Sequence, residues 1–575
     1  MNKRQRLELT WIGKDERPRL EPRILVEDSA SSYHAKTRVN TNDRFDNLLI
    51  FGDNLLALKS LEQEFSGGVK CVYIDPPFNT QQAFEHYDDG IEHSIWLGLL
   101  RDRLEIIHRL LTNDGSLFVH IDDNEVAYLV ALLDEIFGRD NRVSIITFKQ
   151  GAATGHKSIN PGVVTTSNFI VLYAKDKSGW KPNRVFTARE DRDKRYGSFI
   201  ENFSDEYEGW RIVTLTKGFS SHLHLPEKGL KKVLGDEFED KLSQFVMAHA
   251  HQVVRLARPD YSAVSAAART MIDASRTEPK KVMKLVRDEV SDMYFLGGER
   301  ILFYSDKLKL IDGNYVAGEP LTTIWDDILS NNLHNEGGVD FPKGKKPEAL
   351  IKRCLELSTS TNDIVLDSFA GSGTTGAVAH KMGRRWIMVE LGEQCDTHIL
   401  PRLRRVIDGE DSSGITEATG WKGGGGFRYC RLAPSLLNRD KWGNWVISKE
   451  YNAAMLAEAI CKLEGFSYLP SDTVYWQHGR STERDFLYVT TAHLNTEQLQ
   501  QLSDEVGPAR TLLVLCTAFR GKADRYPNLT VKKIPKQVLS RCEWGHDDYS
   551  LQVENLPKLS PQHGQEALFG EKAGE

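Results

Sequence analysis

The chain of 575 residues is 40% hydrophobic and 27% charged, an ordinary globular composition whose length predicts about three to four domains. Its formal net charge of -7 excludes a global basic field, so any nucleic-acid contact has to come from local basic patches. Seven scattered cysteines without a C-x-x-C pair argue against disulfides and a cysteine zinc site, and a charged N-terminus with no long apolar run predicts a cytoplasmic protein without a membrane segment.

Residues 1–45 are polar and predict an arm with little core of its own. Leu48–Phe51 reads as a strand, Gly52-Asp53-Asn54 as a turn, and Leu55, Leu58 and Leu61 as a helical stripe. The run Cys71–Ile74 is the next strand, and it stops at Asp75-Pro76-Pro77-Phe78 because proline has no N–H for a sheet ladder. A strongly amphipathic helix is expected over 95–111 and a strand over 115–121. A helix follows, with Asp122 and Asp123 as its capping acids, and then a strand within 168–176. Strands separated by helices of this length imply βαβ units, a parallel sheet and a catalytic or binding half over 46–180.

The short repeat breaks off at 181–330, where basic clusters accumulate. Arg255, Arg258, Arg276, Lys280, Lys281 and Lys284 are candidates for phosphate contacts, although charge runs also form plain solvated helix faces. His222, His224, His249 and His251 lack the cysteine partners or helical spacing of a metal site, so no metal is expected. A second α/β pattern returns over 331–410. In it, LDSFAGSGTTG is a strand, a glycine turn and a helix beginning near Thr374. Gly371, Gly373 and Gly376 fit G-x-G-x-x-G, and Glu390 ends the next strand about 20 residues on, where a ribose acceptor belongs. The lysine of a P-loop is missing. Beyond 410, GWKGGGGF reads as a linker or loop into a C-terminal module over 411–575, with strands at DFLYVTT and RTLLVLCT.

The glycine loop alone fits either a nicotinamide dinucleotide or S-adenosylmethionine. An oxidoreductase leaves Asp-Pro-Pro-Phe unexplained, whereas methylation of a base amine explains it. That amine is a poor nucleophile, because its lone pair is delocalised into the ring. Asp75 and the Pro76 carbonyl can each accept one N–H, and Phe78 can stack on a base that has left the duplex.

Here the sequence resembles a known family. DPPF after VYI matches the catalytic motif of the amino-methyltransferases, and DSFAGSGTT matches their cofactor motif. The order of the two is that of the circularly permuted β class. FGDNLLALKSL, YIDPPFNT, GSLFVHIDDNE, NFIVLYAKD, TIWDDI and FPKGKKPEAL further resemble the modification subunits of type III restriction–modification systems. The resemblance implies a Rossmann-like, S-adenosylmethionine-dependent methyltransferase core of mostly parallel sheet. It also implies a target-recognition insertion and a C-terminal α+β module. It gives Asp75, Pro76, Pro77 and Phe78 the flipped base. Asp367, Phe369, Gly371, Gly373 and Thr374 would line the cofactor pocket, with Glu390 on the ribose and Asp53 on the adenine, unless Asp53 only caps its helix. Tyr is commoner than Phe at position 78, so a hydroxyl hydrogen bond is lost. An acid at position 75 resembles adenine-N6 enzymes, and cytosine-N4 methylation is the alternative. A vestigial, non-catalytic DNA-binding subunit is a further one. Double-stranded DNA, a homodimer and a separate helicase-nuclease restriction subunit are the partners implied.

Overall fold

The computed structural model describes residues 8–39, 41, 43–78, 93–151, 162–189, 191–288, 290–328, 333–341, 344–534, 539 and 541–549. Parts of two motifs, 79–80 at the end of YIDPPFNT and 342–343 within FPKGKKPEAL, lie outside these residues.

Alternating apolar runs and amphipathic helices build one large sheet. Its strands are β1 (Leu25–Glu27), β2 (Tyr33–His34), β3 (Asn47–Phe51), β4 (Val69–Ile74), β5 (Leu111–Ile121), β6 (Arg142–Lys149), β7 (Ser167–Ala174), β8 (Ile324–Trp325), β9 (Ile364–Asp367), β10 (Arg385–Glu390) and β11 (Gly426–Leu432). Among the described residues their spatial order is β1-β11-β3-β10-β9-β4-β5-β7-β6-β8, with β2 also paired to β11. The run β11-β3-β10-β9-β4-β5 is parallel throughout. The strands of this run are almost wholly buried, as a sheet covered on both faces requires. The helices α1 (Asn54–Phe65), α2 (His93–Leu110), α3 (Val126–Leu133), α4 (Glu348–Ser358), α5 (Thr374–Lys381) and α6 (Leu400–Asp408) connect or follow these strands. Leu58, Leu61, Trp96, Leu100 and Leu104 pack with Val72, Ile74 and Val119 into the main core.

Four details depart from the sequence expectations. β7 runs antiparallel to both β5 and β6, where βαβ units predict a parallel strand. Asp122 does not cap α3; it accepts the Asn124 N–H and closes a turn ahead of the helix. The glycine run is not a linker. Gly424 N–H donates to Ile407 O, Gly426 N–H donates to Arg44 O, and the chain passes straight into β11. Gly424, at φ +111°, comes so close to Asp43 that a Cβ would lie 2.7 Å from its carboxylate, so only glycine fits. The arm expected over 1–45 contributes β1 and β2 to the sheet.

The chain divides into two compact units, Arg184–Leu321 and the remainder. The insertion is thus narrower than 181–330. Asn183 is bound to the carbonyls of Glu356 and Thr359, and β8 joins the large sheet beside β6. Within the insertion a six-stranded antiparallel sheet, which includes Val253–Ala257 and Met283–Leu285, accompanies a three-stranded one. The C-terminal strands expected at 485–491 and 510–517 form within Asp485–Leu494 and Thr511–Phe519 of a separate five-stranded sheet.

Candidate active site

Because β3, β10, β9 and β4 are parallel neighbours, the segments that follow them share one edge of the sheet. At that edge lie Asp53 after β3, Glu390 at the end of β10, Asp367 at the end of β9, and Asp75 after β4. The carboxyl edge of an open α/β sheet is where ligands bind. The catalytic and glycine motifs, far apart in the chain, are therefore brought together by adjacent strands.

The Asp75–Phe78 turn is held from two sides. Trp96 Nε1 donates to Pro77 O at 3.0 Å. Phe78 packs half-buried against the main core and stacks on His120, with ring centroids 5.7 Å apart and 29° between planes. His120 is fully buried between Tyr73 Oη, 3.0 Å from Nδ1, and Asn168 Nδ2, 3.2 Å from Nε2. Burial holds its pKa well below the usual imidazole value, with the Lys346 charge acting in the same direction. The ring is therefore neutral. With the Asn168 amide donating to Nε2, the proton is on Nδ1 and points to Tyr73.

Sequence reasoning gave no role to Lys346, although it had quoted the motif that contains it. Its ammonium donates to Asp75 Oδ2 at 2.5 Å and lies 5.2 Å from the Phe78 ring centroid.

The glycine loop is pinned at both ends. Glu390 Oε2 accepts the Gly371 N–H at 2.7 Å, while Oε1 accepts N–H groups from Leu391, Gly392 and Gln394. Asp367 accepts from the Phe369 N–H at 2.9 Å and the Thr375 hydroxyl at 2.6 Å. A Cβ built on Gly371 would meet nothing nearer than Phe369 O at 4.0 Å, so there is open space beside this backbone. Gly373 has φ +76°, and a Cβ there would lie 2.9 Å from Ile399 Cγ2. Gly373→Ala is expected to lower stability by about 1–3 kcal/mol through backbone strain, measured by thermal melting.

Charge distinguishes the ligands this edge could hold. Burial is the main force that pushes the Asp367 carboxyl up to about 7; repulsion from Asp75 and Glu390 adds to it, against the hydrogen bonds from Thr375 and Phe369. A carboxyl group that is itself repelled by Asp75 and Glu390 disfavours a pyrophosphate and favours a cation. The residues at the glycine loop therefore fit a sulfonium cofactor better than a nicotinamide dinucleotide.

Asp53 is a different case. Its Oδ1 caps α1 through the N–H groups of Leu55 and Leu56, and its Oδ2 accepts the Tyr549 N–H at 3.0 Å. Arg103 Nη2 lies 3.6 Å from the same oxygen and also donates to Tyr549 O. The capping role is realised here. The chain at Tyr549 lies against the same carboxylate.

The DNA methylase family profile, of the N6/N4 type, matches residues 69–399. The chain belongs to this family. A probable type III restriction-modification enzyme HindVI Mod subunit from Haemophilus influenzae is 35% identical to the methylase over 416 residues, covering 68% of this chain and 54% of that protein. The EcoP15I Mod subunit from Escherichia coli is 26% identical, over 67% of this chain and 64% of that one. The methylase thus spans a little over half to just under two thirds of the length of these curated relatives. A solved structure, M1.HpyAVI in complex with SAM, aligns over 62% of the methylase and 98% of its own chain at 13% identity and TM-score 0.30.

The basic residues of the insertion do not share one helical face. Arg255 is on a strand and lies 5.3 Å from the Tyr196 ring centroid. Arg276 is at the end of helix Ala266–Thr277 and is paired with Asp273, Arg258 is paired with Glu299, and Lys284 with Asp292. Lys280 and Lys281 are exposed on the turn between helix and strand. His249 is hydrogen-bonded to Gln252 within its own turn.

Proposed function

We propose that this chain is an S-adenosylmethionine-dependent DNA methyltransferase acting on the N6 amine of an adenine flipped out of the duplex, as the modification subunit of a restriction–modification system. The observation that carries this is the Asp75–Phe78 turn, set at the carboxyl edge next to the strand that bears the glycine loop. The Asp75 carboxylate and the Pro76 carbonyl accept the two N6–H groups, drawing the amine toward sp³ geometry with its lone pair exposed. Phe78 supplies the stacking surface, which the His120 ring supports. S-adenosylmethionine would supply an electrophilic methyl group on a positively charged sulfur. Asp367, Phe369, Gly371, Gly373 and Thr374 would hold it, with Glu390 on the ribose hydroxyls. Positioning and charge complementarity then supply the catalysis, with no covalent enzyme–base intermediate.

Arg255, Arg258, Arg276, Lys280, Lys281 and Lys284 are offered as phosphate contacts, which fix register without reading sequence. The Mod-subunit names of the relatives support a place in a restriction–modification system. A homodimer, a separate restriction subunit and a cytoplasmic location belong to the same proposal. Among the described residues, no helix is long and apolar enough to cross a membrane.

Incubation of the purified chain with labelled S-adenosylmethionine and unmethylated DNA, followed by digestion to nucleosides, tests the function. N6-methyladenine is the expected product; N4-methylcytosine would overturn the base assignment, and unlabelled DNA would overturn the activity.

Asp367 gives this cofactor a pH signature. Its carboxyl titrates near 7 in the folded chain, so it is neutral below that pH and charged above it. A cation binds the charged form, so affinity for S-adenosylmethionine is expected to rise as pH increases through about 7 and then level off. Calorimetric titration at several pH values should show this rise in the wild type and a flat profile in Asp367→Asn.

A further inference from the structure

Two of the groups proposed to hold the target base, Asp75 and Phe78, already have an occupant. Lys346 Nζ donates to Asp75 Oδ2 at 2.5 Å, is 3.4 Å from Gly344 O, and lies 5.2 Å from the Phe78 ring centroid. These contacts repeat two of the three proposed for an adenine: an N–H into the Asp75 carboxylate and a partner against the Phe78 ring. The side chains of Lys346 and Asp75 are 12% and 20% exposed, so neither is freely solvated. A carboxylate at that depth needs a compensating donor when no base is present.

We infer that Lys346 is a placeholder for the target amine: its ammonium fills the acceptor site of the base-free enzyme and has to be displaced from Asp75 when a base enters. The local sequence makes this possible. Pro347 begins the turn into α4 with an extended backbone (φ -61°, ψ 136°), and Glu348 is anchored in the interior by Arg402 and Lys381. Lys346 is thereby presented to the edge of the sheet from a fixed base, with a flexible four-carbon stem free to swing. Displacement also acts as a filter. Only a group that donates to Asp75 and covers Phe78 replaces both lost contacts, whereas a flipped thymine has no exocyclic amine to place against the carboxylate.

Resting on the methylation proposed above, this predicts a sign that other roles do not. Lys346→Met and Lys346→Gln remove the competitor, and the KM for unmethylated plasmid DNA is expected to fall about tenfold, the size of one charge-assisted hydrogen bond. Lys346→Arg keeps a competing cation and should hold KM near the wild-type value. A lysine that contacted DNA phosphate would give a higher KM on removal, and a positioning lysine would lower kcat with KM unchanged; either result overturns the placeholder. Melting curves of both neutral variants separate these outcomes from misfolding, and agreement between Met and Gln is required. A wild-type chain that methylates no DNA would sink the parent function, whereas active wild type with no fall in KM would sink the placeholder alone. N4-methylcytosine as product would leave it standing, since that amine also donates.

Discussion

Replacing Asp75 with alanine is expected to reduce methyl transfer to DNA by about 10²- to 10³-fold, the scale of removing one preorganised polar group from a catalytic centre. In the proposed mechanism the carboxylate would be the acceptor that turns a conjugated amine into a nucleophile, and its loss would leave the Pro76 carbonyl alone. The fold should survive, because Asp75 follows β4 rather than lying within it and retains partial exposure. Binding of S-adenosylmethionine should also persist, and its rise with pH should move to lower pH, since the charge that helps raise Asp367 is gone. Single-turnover kinetics together with calorimetry would check this. Full loss of cofactor binding would mean instead that Asp75 maintains the pocket.

The largest effect on stability is expected at Glu348. Its carboxylate is inaccessible to solvent and accepts from Arg402 at 2.8 Å, Lys381 at 2.7 Å and the Ile415 N–H at 3.0 Å. Lys381 is in turn paired with Asp411 at 2.7 Å, and Arg402 reaches the glycine loop through Ser372 O and Thr374 Oγ1. Glu348→Ala leaves two interior cations with one carboxylate between them, and breaking a buried ion pair in this way costs about 3–5 kcal/mol. A fall in melting temperature of roughly ten degrees is expected, with weaker S-adenosylmethionine binding as the loop loses its Arg402 anchor. Replacing Glu348, Lys381, Arg402 and Asp411 together by Leu, Met, Met and Asn should be milder than the single change, because the buried partners are then removed together. If the single variant melted like the wild type, the network would be shown to contribute nothing.

Much of the core was legible in the sequence because its signals are local. Apolar runs such as Cys71–Ile74, the proline stop after Asp75 and the glycine turn at 371–373 each announce themselves within a few residues. What could not be read depends on partners distant in the chain. Glu348 and Lys346 look like ordinary charges at a helix start; only folding brings Arg402 to one and Asp75 to the other. Asp53 carried signals for both a cap and a ligand; the cap is formed, and Tyr549, far downstream, supplies a further partner that no local signal announces. The glycines at 423–425 resemble a linker until Asp43 and Arg44 are seen to leave no room for a side chain. The basic stretch over 255–287 suggested a helical face, yet it divides among strand, helix and turn, because residues such as Val254, Ile272 and Val282 each pull their segment into a core.

The pairing of β4 with β9 also sets an order of events during synthesis. Cys71 is opposite Val365, so one side of a largely apolar central strand waits for a partner made about 300 residues later, a closure whose entropic cost grows only as the logarithm of the intervening length. The intervening Arg184–Leu321 unit has apolar clusters of its own, and its folding shortens the gap the late strand has to cross. Ribosome-bound chains that end before β9 should therefore carry a folded insertion and an unfinished sheet edge, the state most in need of a chaperone.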